Sequence, residues 1–144
     1  MGTGQMLLVL LAIVLFSTII VTTRSNIATQ NELLYDNMYR LQGLRVANKF
    51  FQQIESLMIG QILTFAELNN TYTNFTETVT IDDADYHVTI DMFYCDDSGN
   101  ITNDPESEFQ LIEIKINTTP LGKTLHIGTD DNPLSKVIAD IWGD

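Results

Sequence analysis

Two histidines and a single cysteine are the side chains with the widest chemical range in this sequence. His87 and His126 each lie in an alternating, strand-like pattern, and neither belongs to a metal-ligand spacing such as H-x-x-x-H. We therefore expect no metal-binding or catalytic role for them. Cys95 has no cysteine partner, which excludes an intrachain disulfide and a thiolate metal cluster. Its place in an alternating run predicts a half-buried strand residue.

Two short acidic runs carry the carboxylate and amide oxygens that calcium prefers. They comprise, in chain order, Asp96, Asp97, Gly99 and Asn100, followed by Asp130, Asp131 and Asn132. Neither run matches the D-x-[DN]-x-[DN]-G pattern of a calcium loop, and acidic residues are common in solvated turns. We expect solvated loops and no cofactor, with calcium binding as the alternative.

Four N-x-S/T sequons are candidate sites of N-glycosylation, at Asn69, Asn74, Asn100 and Asn117. Asparagine and threonine are frequent in this part of the chain, so chance accounts for many of these matches. Glycosylation is expected only if this part is translocated in a host that has the machinery.

The charge distribution argues against nucleic-acid binding, and the absence of catalytic motifs argues against an enzyme. Residues 64–144 hold sixteen acidic and three basic side chains, whereas residues 1–63 are nearly neutral. No basic stripe is available to neutralise phosphates, so we expect no nucleic-acid partner. A glycine-rich phosphate loop, a nucleophile elbow and a paired acid motif are all missing, so the sequence predicts a protein that is not an enzyme.

The N-terminal part is an apolar run from Met6 to Val21, broken only by Ser17 and Thr18. Extended through Thr23 as a helix, it covers about 27 Å, near the lower limit for crossing a bilayer. A cleaved secretory signal would need basic residues before the run and a small-residue site after it, and the sequence has neither. A buried core helix would need a larger protein around it. We therefore favour a membrane anchor.

A helical pattern continues beyond this run without a turn signal. From Ile27 to Leu63 there is no proline, and apolar residues recur at helical spacing. The residues expected to pack on the rest of the chain are Leu34, Met38, Leu41, Phe51, Ile54 and Met58. One helix of about 55 residues, from Met6 to Gly60, is predicted. A small domain cannot cover a helix of that length, so its first half must be buried in lipid or against copies of itself.

The remainder of the chain is predicted to be a small β-rich head. The run from Asn69 to Asn74 is polar and turn-rich and predicts a loop. Alternating patterns predict strands at Glu77–Asp82, Tyr86–Cys95, Phe109–Asn117 and Thr124–Gly128. The Asn132-Pro133 pair resembles a helix start and predicts a short terminal helix. The expected fold is α+β, with the long N-terminal helix packed on an antiparallel sheet of three to four strands.

The order of these segments resembles the type IV pilin and pseudopilin superfamily. The residues that carry the resemblance are the short Met1-Gly2-Thr3-Gly4 leader, the apolar block Gln5–Val21, the unbroken amphipathic helix and the β-meander. The chain departs from the family at Val9, where a glutamate is usual, and in a leader without basic residues. The resemblance implies a leader at 1–4, an anchor at 5–25, an amphipathic continuation at 26–64 and a head at 65–144.

The same resemblance implies a life cycle and a set of partners. A prepilin peptidase would cut between Gly4 and Gln5, and an assembly platform would move the subunit from the cytoplasmic membrane into an extracellular filament at the cell surface. There, copies of this chain and other pilin-like subunits would bundle their apolar helices. The side chains expected in that filament core are Leu7, Leu11, Val14 and Ile20.

Two functions remain open on the sequence. The first is a structural subunit of a pilus-like or pseudopilus-like filament. The second is a single-pass anchored binding or sensor module, whose acidic head would capture a cation, a peptide or a partner domain. Arg24 and Arg40 follow the apolar run and favour a cytoplasmic head by the positive-inside rule. We expect the head outside, because a cytoplasmic head leaves the long helix unexplained.

Overall fold

The computed structural model describes residues 2–143, which fall into two compact units. The N-terminal unit ends at Met38, and the globular unit begins at Tyr39. The elements in chain order are α1 (Thr3–Ile59), α2 (Phe65–Tyr72), β1 (Phe75–Ile81), β2 (Ala84–Cys95), β3 (Phe109–Thr118), a 3-10 turn (Pro120–Gly122), β4 (Leu125–Ile127) and β5 (Leu134–Ala139). The predicted α+β class, a long N-terminal helix with an antiparallel sheet, is confirmed.

Helix α1 is a single element of 57 residues. It runs this far because neither proline nor a turn-forming cluster interrupts it. It ends where Gln61 takes a left-handed backbone conformation with φ of 52°. The Ile62 amide then donates to the Leu57 carbonyl at 3.0 Å, which satisfies one of the last free carbonyls of the helix. The prediction of one helix from Met6 to Gly60 is therefore confirmed.

The buried face of α1 differs from the predicted stripe. Its buried residues are Gly43, Val46, Ala47, Phe50, Ile54 and Met58. Ile54 and Met58 belong to both sets, and Phe51 is half-buried against the core. The expected packing of Leu41 is corrected, because its side chain is 59% exposed. Leu34 and Met38 belong to the N-terminal unit, and their packing stays a prediction. The buried face begins with the small residues Gly43 and Ala47, which let the helix approach the sheet closely, and continues with the large side chains of Phe50, Ile54 and Met58.

Helix α2 takes up Asn69–Tyr72 of the loop predicted at Asn69–Asn74, so that prediction is wrong for these residues, and a turn follows at Thr73 and Asn74. Thr64 and Glu67 form a reciprocal cap at its first turn. The Glu67 amide donates to Thr64 Oγ1 at 3.3 Å, and the Thr64 amide donates to Glu67 Oε2 at 2.8 Å. Such a capping box satisfies two amides that a helix otherwise leaves free. The helix buries Phe65, Leu68 and Tyr72.

The sheet has five antiparallel strands, one more than the upper prediction. Strands β1 to β4 are neighbours in sequence order, and β5 also pairs with β3. A tight turn joins β1 to β2 through Asp82 and Asp83, whose φ values of 48° and 64° suit a two-residue hairpin. The register of β2 with β3 runs from Tyr86 opposite Thr118 to Cys95 opposite Phe109.

Strand β5 stands where a terminal helix was predicted after Asn132-Pro133, and that prediction is wrong. Leu134–Ala139 pairs with the first half of β3, while β4 pairs with its last residues, so both strands share one edge. A helix of two turns has little stability of its own. The free backbone groups along β3 offer this short segment a ladder of hydrogen bonds instead. An ion pair of 2.6 Å from Lys136 to Glu55 also ties β5 to α1.

The core of the globular unit lies between α1 and one face of the sheet. The inward residues of β2 alternate as the sequence predicts, with Tyr86, Val88, Ile90 and Met92 all buried. Ile112, Ile114 and Ile116 of β3 are fully buried on the same face. The core residues of the cluster begin at Val46, so the globular unit contains its own core.

Candidate functional site

The most distinctive surface of the chain is the apolar segment of α1 between Met6 and Val21. An 18-residue window of this helix has a mean hydropathy of 2.7, and none of it is buried. Among the helices that the structure describes, α1 is the one whose length and composition allow it to cross a membrane. Its predicted assembly residues are Leu7, Leu11, Val14 and Ile20, and they are 68%, 54%, 58% and 49% exposed, respectively.

Threonines at the end of this segment fit the apolar surroundings by bonding to their own helix. Thr18 Oγ1 donates to the Val14 carbonyl at 2.7 Å, and Thr22 Oγ1 donates to the Thr18 carbonyl at 2.8 Å. Thr23 makes the same contact four residues back at 2.8 Å. A hydroxyl that is bonded inside the helix leaves its methyl group outward. The apolar surface therefore continues past Val21.

The predicted cleavage bond between Gly4 and Gln5 lies in the first turn of α1. The Gln5 amide donates to the Gly2 carbonyl at 3.0 Å. A Cβ atom at position 4 would meet no atom within 4 Å. The site is therefore open to solvent on its side-chain face, and cleavage there stays a prediction.

The first acidic loop is organised around the Asp96 carboxylate. Asp96 Oδ1 accepts hydrogen bonds from the Ser98 and Asn100 amides at 2.9 and 2.8 Å. Its Oδ2 accepts from Asn100 Nδ2 at 2.9 Å. The side-chain and backbone bonds from Asn100 are the main reason that the pKa of Asp96 is lowered. The Asp96 carboxylate therefore already accepts three hydrogen bonds from donors within the loop itself.

The second acidic run contributes to an ion pair. Asp130 Oδ1 lies 3.0 Å from Lys115 Nζ, and Asp91 Oδ2 lies 3.7 Å from the same nitrogen. These carboxylates raise the pKa of Lys115, and the hydrogen bond that Lys115 donates to Asp130 is the largest cause. Across residues 2–143, no three histidine, cysteine, aspartate or glutamate side chains are grouped as metal ligands.

The two histidines lie in one cross-strand row on the outer face of the sheet. The register aligns Thr78, His87, Asn117 and His126 across β1, β2, β3 and β4. His87 Nδ1 lies 3.0 Å from Thr78 Oγ1, and His126 Nδ1 lies 2.6 Å from Asn117 Oδ1. Each imidazole thus has a neutral hydrogen-bonding neighbour, which fits a role in sheet structure.

Cys95 is fully buried, more deeply than its alternating pattern predicts. The chain after β2 folds back over it, and Ile101 forms a backbone bridge with it. Burial raises the pKa of the thiol, and the negative charge of Asp96 adds to this effect. The thiolate is the reactive form of cysteine, so this side chain is held in its inert form.

The four sequons lie in different environments. Asn69 is part of α2, and its Nδ2 atom is buried without a partner. Asn100 is bonded to Asp96, and Asn117 lies against His126. Asn74 is exposed, with φ of 57°, in the turn between α2 and β1. Asn100 and Asn117 are exposed as well, and glycosylation of the sequons stays a prediction.

The sequence offered one signal for α2 that the loop prediction overlooked. Thr64 and Glu67 stand in the T-x-x-E spacing of a capping box.

Comparison of the chain with protein-family models, curated proteins and solved structures gives no match. Its function is therefore argued from its own surfaces, beginning with the exposed apolar part of α1.

Proposed function

We propose that this chain is a structural subunit of a type IV pilus-like or pseudopilus-like filament that assembles through its apolar N-terminal helix. The observation that carries the proposal is the unburied apolar segment of α1, continuous with the helix that packs on the sheet. A long N-terminal helix packed on an antiparallel sheet is compatible with a pilin-like fold.

An apolar surface of this extent needs a partner that excludes water. Each Leu or Ile that becomes fully buried contributes about 1.5–3 kcal/mol. Lipid satisfies the segment before assembly, and the helices of other copies replace the lipid in the filament. Leu7, Leu11, Val14 and Ile20 are the residues that we place in this core. A prepilin-type peptidase would free Gln5 as the first residue of the mature subunit.

The globular unit would then form the outer surface of the filament. Its sequence is strongly acidic, and charge of one sign keeps exposed domains soluble. The subunit would reside in the cytoplasmic membrane first and at the cell surface after assembly. No enzymatic activity and no nucleic-acid partner form part of this proposal.

The acidic globular unit favours a second candidate, a single-pass anchored module that binds a cation, a peptide or a partner domain. The two candidates differ in where the protein is found. A filament subunit appears in fibres sheared from the cells, and an anchored module stays with the membranes.

The deciding experiment is electron cryo-microscopy of sheared extracellular material, with the chain traced by an antibody against the globular unit. The proposal expects thin fibres whose core is built of α1 helices. The membrane fraction of the same cells serves as the reference for unassembled subunit. Recovery of the chain from membranes alone, under conditions that produce surface fibres, would overturn the filament and support the anchored module.

A further inference from the structure

The globular unit has a groove at the end of α1 that its own fold does not fill. Two adjoining cavities of about 130 and 430 Å³ share Phe65 and Asp140 as lining residues. The first lies along the connection from α1 to α2, and the second lies against the segment that precedes β3. The segment after β5 borders both. We refer to the two cavities together as the Phe65 groove.

The first cavity of the Phe65 groove is lined mostly by apolar side chains, with an exposed tryptophan at its side, whereas the second cavity is mostly polar. Met58 and Phe65 are 7% and 8% exposed, whereas Trp142 is 56% exposed. The Trp142 amide donates to Asp140 Oδ1 at 3.0 Å, which fixes the backbone beside the groove. A half-exposed tryptophan next to an apolar cavity is the kind of residue that contributes most to protein interfaces.

The charged residues of the Phe65 groove are all acidic. Glu106, Glu108 and Asp140 line it, and none of its described lining residues is a lysine or an arginine. Aromatic faces and carboxylates together favour a cation on an apolar stem. A lysine or arginine side chain has this structure, because its methylene groups cover apolar surface while its charge reaches the carboxylates.

The same unit presents two basic residues that lack an acidic neighbour. Arg45 and Lys49 are exposed on α1, one turn apart, and no acidic residue stands three or four positions away from either of them. By contrast, Lys115 and Lys136 form ion pairs, and Lys123 also has a partner. Like charges at this spacing repel each other. An acidic surface placed over them would remove that repulsion.

We infer that the Phe65 groove of one copy receives the Arg45–Lys49 edge of α1 from a second copy. The inference deepens the proposed function and rests on it. The two contacting surfaces are different parts of one molecule. Such a contact is heterologous, so it continues from copy to copy and suits a filament instead of a closed dimer. A contact between opposite charges at an exposed rim also weakens as salt is added.

Cysteine cross-linking of the full-length chain in membranes and in sheared fibres tests the contact. Lys49→Cys and Glu106→Cys are made singly, and the two variants are co-expressed. Buried Cys95 gives no background in the folded protein. The inference expects a disulfide-linked pair that is at least tenfold more abundant than with a control. In the control, Glu106→Cys is replaced by Thr89→Cys, on the outer face of β2.

Charge reversal gives a second readout in the same cells. Arg45→Glu with Lys49→Glu should lower the cross-linked or assembled fraction tenfold or more, and Glu106→Lys with Glu108→Lys in the same chain should restore it. Fibres that form without the adduct and tolerate the reversal would overturn this inference and leave the filament intact. The adduct in membranes without any fibre would support the contact and overturn the proposed function. Absence of the adduct from both fractions would overturn the contact.

Discussion

The hydroxyl of Tyr86 on β2 donates a hydrogen bond of 2.6 Å to Oε1 of Gln42 on α1. Gln42 Nε2 in turn lies 3.2 Å from Asp82 Oδ2 in the β1–β2 turn, so one short chain of bonds joins helix, strand and turn. Burial raises the pKa of Tyr86, and nearby Tyr39 and Asp82 add to the effect. The phenol therefore keeps its proton and remains a donor throughout the physiological pH range.

Tyr86→Phe removes this bond and retains the ring. We expect the free energy of unfolding to fall by about 1 kcal/mol, the usual net value of one such hydrogen bond. Thermal unfolding in detergent, followed by circular dichroism, measures the change. Tyr35→Phe is the control, because Tyr35 is 52% exposed in the N-terminal unit. Equal stability of the two variants would mean that water replaces the bond to Gln42.

Gly43→Leu tests the close approach of α1 to the sheet. A Cβ atom at Gly43 would overlap with Cδ1 of Ile127 and lie 3.3 Å from its Cγ1. A leucine therefore overpacks the core, which we expect to cost about 1–3 kcal/mol despite the better helix propensity of leucine. Asn48→Leu adds the same side chain to an exposed position of α1 as the control. Denaturant unfolding of both variants gives the difference, and a neutral Gly43→Leu would show that β4 moves away freely.

This glycine also explains why the sequence predicts the helix better than its buried face. The length of α1 follows from local rules, namely the absence of breakers and a recurring apolar period. The choice of face depends on how closely the sheet can approach, and Gly43 and Ala47 allow the closest contact. Hydrophobicity ranks Leu41 above these small residues, so the predicted stripe departs from the buried face near Gly43 and agrees with it at Ile54 and Met58.

The last strand was missed for a different physical reason. Leu134, Val137, Ile138 and Ile141 recur at helical spacing after an Asn-Pro pair, so the local signal favours a helix. The free edge of β3, which is distant in sequence, determines that this segment becomes a strand. The Phe65 groove also combines residues from four parts of the chain, so no local pattern indicates it.

The buried thiol of Cys95 predicts slow alkylation in the folded protein. A maleimide reagent at pH 7 should label the chain only after denaturant is added, and mass spectrometry counts the adducts. The pKa of the Cys95 thiol is higher in the folded chain than in the unfolded chain. Burial of the protonated thiol therefore contributes to stability below the unfolded pKa of about 8.5, and this contribution is lost as the pH rises through the folded pKa. The stability of the wild-type chain should therefore fall more above pH 9 than that of Cys95→Ala. Rapid labelling without denaturant would contradict the burial.

A chain of residues 26–144 is expected to be soluble and folded. The core residues of the cluster lie between Val46 and Ile138, so removal of the first 25 residues takes none of them away. The deletion also removes the exposed apolar segment Met6–Val21, which needs lipid or other helices. Circular dichroism should show cooperative thermal unfolding, and chromatography should give a solution species free of detergent. An unfolded product would show that the globular unit depends on the anchor.

Leu11→Ala separates filament assembly from membrane insertion. Val14→Lys would hinder both, because a central lysine costs about 2.5–3.5 kcal/mol on insertion scales and places an unpaired charge in a dry filament core. Alanine keeps position 11 apolar, so insertion should proceed at the normal level. In a helical array, however, the missing side chain leaves a gap in every subunit, at a cost of about 2–5 kcal/mol per gap in a well-packed core.

We therefore expect Leu11→Ala to give normal amounts of subunit in the membrane but fewer fibres, which break at a lower temperature. Immunoblots of membrane and sheared fractions, with electron microscopy of heated fibres, measure both effects. Leu121→Ala is the matched control, because Leu121 is 84% exposed and lies in the globular unit. If Leu11→Ala fibres match those of the control in yield and strength, and Val14→Lys fibres do as well, then α1 does not form the filament core. The acidic globular unit on a single-pass anchor would then be the better account, because an anchor in lipid tolerates a leucine-to-alanine change that a packed array does not.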